Sequence, residues 1–80
     1  MKNSTMYKVI STKTKYFDYR CSTLEEAKKA ILYACSREWI KNPEMKNPNN
    51  FVILEEVVDC YTGVKYGLDK DFNIIIKEVA

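Results

Sequence analysis

The segment from Thr23 to Trp39 reads as an amphipathic helix, and the runs on both sides of it read as strands. That combination restricts the chain to an α+β fold. Thr23-Leu24-Glu25-Glu26 is a capping box. The Thr23 hydroxyl can accept from the Glu26 amide while the Glu26 side chain reaches back. Two acids in the first turn suit the positive end of the helix dipole. Leu24, Ala27, Ile31, Cys35 and Trp39 follow at three- and four-residue spacing, which predicts one buried stripe. Lys28, Lys29, Ser36 and Arg37 fall off that stripe, toward solvent. Asn42-Pro43 is the expected stop, because proline disfavours helical geometry in the residue before it.

Met6–Ser11 and Tyr16–Cys21 are aromatic and β-branched, as strands are. Side chains alternate along a strand, so Phe17, Tyr19 and Cys21 share one face, and Tyr16, Asp18 and Arg20 the other. The first set is the more apolar and is assigned to the core. The length of the turn between the strands decides whether Tyr7 and Val9, or Lys8 and Ile10, join it. Asn42–Asn50 reads as a loop in which Lys-Asn-Pro occurs twice, an echo too short for a repeat architecture and read as chance. Phe51–Val58 is the next strand, with alternation slipping at Glu55-Glu56 as at a bulge. Asp59–Gly63 reads as a tight turn, Val64–Leu68 as a strand, Asp69-Lys70-Asp71 as a turn and Phe72–Val79 as the last strand. Gly63 and Gly67 are assigned to hairpin turns. The expected architecture is therefore an antiparallel sheet of about five strands, β-β-α-β-β-β, with one amphipathic helix packed on one face.

Eighty residues suffice for one domain, 1–80, with residues 1–5 expected to fray. A chain this small buries only roughly 60% of its unfolded surface, so its stability is marginal and self-association is expected. The chain holds three cysteines, Cys21, Cys35 and Cys60, and no histidine. An odd count without C-x-x-C spacing argues against a disulfide framework and a zinc site. Buried, reduced thiols in a cytoplasmic protein are the expectation. Cys21, just before the helix, is read as an inward strand-end thiol, and Trp39 as a core plug. No apolar signal region follows Met1–Thr5, and no run approaches the ~20 apolar residues that span a bilayer.

The chemistry of catalysis is missing from the pattern. Acid–base catalysis usually recruits histidine, and no phosphate-binding glycine loop or nucleophile elbow occurs. Glu55 and Glu56 are neighbours on a strand and point to opposite faces, so they do not share one ion. Asp69-Lys70-Asp71 starts like a calcium loop but lacks the later ligands. The expectation is a non-enzyme with no cofactor and no metal.

Recognition remains. The first hairpin gathers Tyr7, Tyr16, Phe17 and Tyr19 with Lys8, Lys13, Lys15 and Arg20, and aromatic faces among cations suit bases, nucleotides or proteins. Net charge is only +2, yet residues 1–41 carry nine Lys/Arg against four Asp/Glu, a surplus of +5, while residues 42–80 carry four against seven, or −3. The candidate binding residues are Lys13, Lys15, Tyr16, Asp18 and Arg20. Asp18 in the middle of that strip weakens the case for a polyanion and favours a protein partner, or a small ligand needing one acceptor. Lys65, Ile75, Lys77 and Val79 extend the same mixed face on the later strands. The expected function is a small binding protein acting by protein–protein interaction, an inhibitor or adaptor of a larger protein. Its Lys-, Asn-, Ile- and Tyr-rich usage resembles that of small accessory proteins of phages and mobile elements, which implies host takeover or the blocking of a defence. The alternative is nucleotide or nucleic-acid binding through the basic, aromatic hairpin, including an oligomeric sponge for a nucleotide signal.

Overall fold

In the computed structural model of the protein, residues 4–14, 17–38, 41–58 and 60–79 are described. The elements follow in the order β1 (Thr5–Ser11), β2 (Asp18–Cys21), α1 (Leu24–Cys35), two short 3-10 helices (Pro43–Lys46 and Pro48–Asn50), β3 (Phe51–Val57), β4 (Cys60–Leu68) and β5 (Ile74–Glu78). The strands form one antiparallel sheet in the order β2-β1-β3-β4-β5. The helix packs over β1 and β2. β1 is thus flanked by its hairpin partner on one side and, on the other, by the strand that returns after the helix.

Register settles which residues face the helix. Tyr7 pairs with Cys21, and Val9 pairs with both Tyr19 and Ile53. The Tyr7–Val9 set therefore lies on the helix side, and Lys8 and Ile10 on the open side. Val9, Ala27, Ile31, Ile53 and Leu68 are fully buried, with Cys21, Ala34 and Phe51 nearly so. Each large aliphatic side chain so buried contributes about 1.5–3 kcal/mol of transfer free energy. Phe17 closes the β2 end of this core by meeting Phe51 edge to face, with centroids 5.2 Å apart.

Several local expectations are corrected. Thr5 is not frayed: it belongs to β1, opposite Val57. Tyr19 is not a core residue; it is 43% exposed, because β2 is an edge strand and Tyr19 lies where the helix does not cover it. The helix stops at Cys35, short of Asn42. There the Ser36 amide is shared between the carbonyls of Leu32 and Tyr33, and the Ser36 hydroxyl also donates to Tyr33 at 2.9 Å. The orphan carbonyls of the last turn are thereby satisfied locally. The buried helix residues are Ala27, Ile31 and Ala34, with Leu24 and Cys35 at the margin, so the stripe is rotated toward Ala34. Trp39 lies outside the described residues.

The Lys-Asn-Pro echo has a structural cause. Asn42 accepts from the Glu44 amide at 3.0 Å, and Asn47 from the Asn49 amide at 2.9 Å, each opening a 3-10 helix that starts with proline. Asparagine as cap and proline at the first helical position is one device used twice.

The β3–β4 turn is also displaced from its expected place. Val57 pairs with Cys60, so the reversal falls between these two, and Cys60–Gly63 belongs to β4; residue 59 lies outside the described residues. The expected bulge is present between Leu54 and Glu56, but the surplus residues are on β4, where Thr62-Gly63-Val64 oppose Glu55. Gly63 adopts φ 92° there, which glycine accommodates without strain. The Thr62 hydroxyl fills the gap in the ladder, 3.2 Å from the Glu55 carbonyl, and accepts from the Val64 amide. Gly67 likewise lies within β4 rather than in a turn, and the Lys77 side chain runs across it.

Candidate functional site

The residues nominated from sequence disperse. Lys13 sits in the connection after β1, its amide held by the Ser11 hydroxyl at 3.1 Å. Asp18 and Arg20 stand on the open face of β2 beside Lys8, and each faces an opposite charge. Lys8 Nζ lies 3.7 Å from Asp18 Oδ2, and Arg20 Nη2 lies 3.8 Å from Glu56 Oε1. Cation answers anion along this strip, so it presents little net positive field to a polyanion. Lys15 and Tyr16 lie outside the described residues.

Asp18, its carboxylate turned to Lys8 on the open face, is the one described nominee that also borders a groove on the helix side. This groove, about 640 Å³, runs between β2 and the outer side of α1 and is lined by Phe17, Asp18, Tyr19, Glu26, Lys29, Ala30, Tyr33 and Arg37. Its construction follows from the topology. Edge strand β2 supplies Tyr19, the helix supplies residues at 26, 29, 30 and 33, and Arg37 follows just beyond the helix end. Those positions recur at three- and four-residue intervals and make a second stripe beside the buried one. The signal was present in the sequence, but only the packing of α1 against β2 gives it a facing wall. Within the groove the Arg37 guanidinium lies 4.1 Å from the centroid of the Tyr33 ring, a cation–π contact. Glu26 holds its place by accepting from the Ser22 hydroxyl at 2.9 Å and the Thr23 hydroxyl at 3.2 Å. The Glu26 carboxylate, two cations and three aromatic rings therefore surround one concavity, with Asp18 at its rim. A smaller depression of about 300 Å³ opens beyond Phe17 and Asp18, beside Lys8, Ile10, Ser11 and Thr14.

The acidic pair on β3 parts as alternation requires. Glu56 turns to Arg20 on the open face, and Glu55 turns to Thr62 and to the Tyr66 hydroxyl, which donates to it at 3.3 Å. Tyr66 meets Tyr7 edge-on with centroids 6.2 Å apart. Burial first, and the Glu55 carboxylate second, hold both phenols above their ordinary value, so they remain donors at neutral pH. The cluster ties β1, β3 and β4 together. Among the described residues no group of three or more His, Cys, Asp or Glu side chains can hold a metal ion.

The Cys21 thiol sits just before the helix start, yet burial raises its pKa and outweighs the lowering by the Thr23 backbone, and the thiol itself donates to the Thr23 carbonyl at 3.4 Å. Burial raises Cys35 as well. Both thiols are thereby kept from the thiolate form that reacts. Cys60 is exposed near the β3–β4 turn. No helix among the described residues is long and apolar enough to cross a membrane. Comparison of the chain with protein-family models, with curated proteins and with solved structures finds no match.

Proposed function

We propose that this chain is a non-catalytic binding protein that grips a segment of a larger protein in the groove between β2 and α1. The carrying observation is the lining of that groove: Phe17, Tyr19 and Tyr33 as apolar walls, with Glu26, Lys29 and Arg37 beside them and Asp18 at the rim. Aromatic and arginine side chains dominate the energetics of protein interfaces, and a rim of both signs selects a partner of mixed charge. A polyanion finds carboxylates in its way. The Lys-, Asn-, Ile- and Tyr-rich composition supports placing this binder among small accessory proteins of phages and mobile elements, acting as inhibitor or adaptor in host takeover or against a defence.

Cross-linking with mass spectrometry on a captured complex tests the reading. The expected result is a protein partner whose cross-links map to Lys29 and the groove rim, with capture lost on Tyr33→Ala and on Lys29→Glu while the circular dichroism spectrum is kept. A partner held equally well by both variants overturns it. A second reading has one observation in its favour, the Arg37–Tyr33 stack beside Lys29, which offers a ring face and two cations to a nucleotide. Nucleotide binding that weakens with salt and vanishes in Arg37→Ala would select that reading instead.

A further inference from the structure

β5 is the last strand of the sheet, and its outer edge carries no neighbouring strand among the described residues. Exposed edges are normally defended by charge, brevity or proline, because an unpaired ladder invites another strand. The opposite edge is defended in this way: β2 has four residues, and Asp18 and Arg20 are exposed on it. β5 is not. Its sequence is Ile74-Ile75-Ile76-Lys77-Glu78, with Ile75 37% and Ile76 62% exposed and Val79 beyond them 67% exposed. Both its charges lie beyond the isoleucines; Lys77 is drawn back over the sheet, and Glu78 stays exposed at the strand end. Lys77 crosses Gly67 and donates to the carbonyls of Asn49 at 3.0 Å and Phe51 at 3.5 Å. Glu78 lies 3.7 Å from Lys65 on β4. Gly67 makes that retraction possible, since a side chain there would occupy the path of Lys77.

We propose that β5 pairs antiparallel with β5 of a second copy of this chain, about a two-fold axis at Ile75. The register follows from the residues. Directly opposed residues of an antiparallel pair share a face, so a two-fold axis perpendicular to the sheet must pass beside a residue. An axis at Ile75 sets Ile75 against Ile75 of the second copy, and Ile74 and Ile76 against its Ile76 and Ile74. Every central pair is then isoleucine on isoleucine, the β-branched match that stabilises a ladder. An axis at Ile76 sets Ile74 against Glu78 and Ile75 against Lys77. An axis at Lys77 opposes two lysines, which like-charge repulsion disfavours. The stretch from Ile74 to Ile76 is also the regular part of β5, paired in step with Leu68, Gly67 and Tyr66, and the register shift comes only after it.

The resulting assembly is a continuous ten-stranded sheet with both helices on one face and a β2 edge at each end. If the β2–α1 groove binds as proposed above, the two grooves stand at opposite ends of a bivalent molecule; the dimer itself does not depend on what the groove holds.

Sedimentation equilibrium and disulfide trapping test the proposal. The wild-type chain is expected to dimerise, and Ile75→Lys, which opposes two lysines at the axis, is expected to weaken association by about tenfold or more. In a Cys60→Ser background, Ile75→Cys is expected to form a disulfide-linked dimer on mild oxidation, because directly opposed Cα atoms fall in the disulfide range of roughly 4.4–6.8 Å. Ile74→Cys alone should not cross-link, whereas Ile74→Cys with Ile76→Cys should. The trapping series decides the matter even if Ile75→Lys fails to fold. A wild-type chain that stays monomeric at high micromolar concentration overturns the proposal. So does trapping of Ile74→Cys as fast as Ile75→Cys.

Discussion

Glu56 Oε1 is buried without a hydrogen-bond partner among the described residues, and Arg20 Nη2, at 3.8 Å, is the charge that faces it. An exposed ion pair contributes little, about 0–1 kcal/mol, but stranding a buried carboxylate oxygen costs more. Arg20→Ala is therefore expected to destabilise the fold by about 1–3 kcal/mol in urea titration. Adding Glu56→Leu should recover much of the loss, because the stranded charge goes with it. An unchanged midpoint in Arg20→Ala would show that this arginine is available for binding rather than held by Glu56. Asp69 supports a pH prediction. Its carboxylate accepts from the amides of Asp71 at 2.8 Å and Asn73 at 2.9 Å, and the Asn73 bond leads the causes that lower its pKa below the ordinary 3.8. A depressed folded-state pKa gives stability that is present above the unfolded value and is lost as pH falls through the folded one. Asp69→Ala should thus lower stability at neutral pH and flatten the acid limb of a pH–stability curve. An acid limb identical to the wild type would refute the assignment.

Individual elements show where local rules suffice. The start of α1 is written in four residues: Thr23 accepts from the Glu26 amide at 3.1 Å, and the Glu26 carboxylate returns to the Thr23 hydroxyl. Its end is not written so plainly, because Asn42-Pro43 is a strong stop that the helix never reaches; a serine capped it first. The β3–β4 hairpin shows the same contrast. Glu55-Glu56 advertised an irregular ladder, but which strand carries the surplus residues depends on how β4 lies against β3. Gly63 at φ 92° is the hinge of that bulge. Gly63→Ala is expected to cost about 1–2 kcal/mol, the price of a left-handed conformation for a residue with Cβ. Asparagine at the same position should cost less. Thermal unfolding of the two variants provides the comparison, and an alanine variant as stable as wild type would place the strain elsewhere.

Across the molecule, the core is centred on β1, β3 and α1, while the β3–β4 turn carries exposed Val58, Cys60 and Tyr61. The chain is elongated, 44 × 20 × 20 Å, so part of the sheet extends without a second layer. Native-state hydrogen exchange should therefore be slowest at Val9 and Ile53 and fast from Val57 to Tyr61. Uniform protection along β3 and β4 would contradict this picture.

The amino-acid sequence by itself determined the elements and their polarity: a capped helix with one buried stripe, strands alternating between two faces, and a turn at Asp69-Lys70-Asp71, although the last strand starts at Ile74 and not at Phe72. These are set by hydrogen bonds and side-chain spacings within a few residues, so they are legible without the fold. Tertiary structure alone decided the strand order, with β1 between β2 and β3. That order brings Arg20 to Glu56, leaves Tyr19 uncovered, turns Glu26, Lys29 and Tyr33 from a solvated helix face into one wall of a groove, and leaves three isoleucines on an open edge. Each of these pairings joins residues distant in sequence. Periodicity says which way a side chain points, and only the packed chain says what it meets.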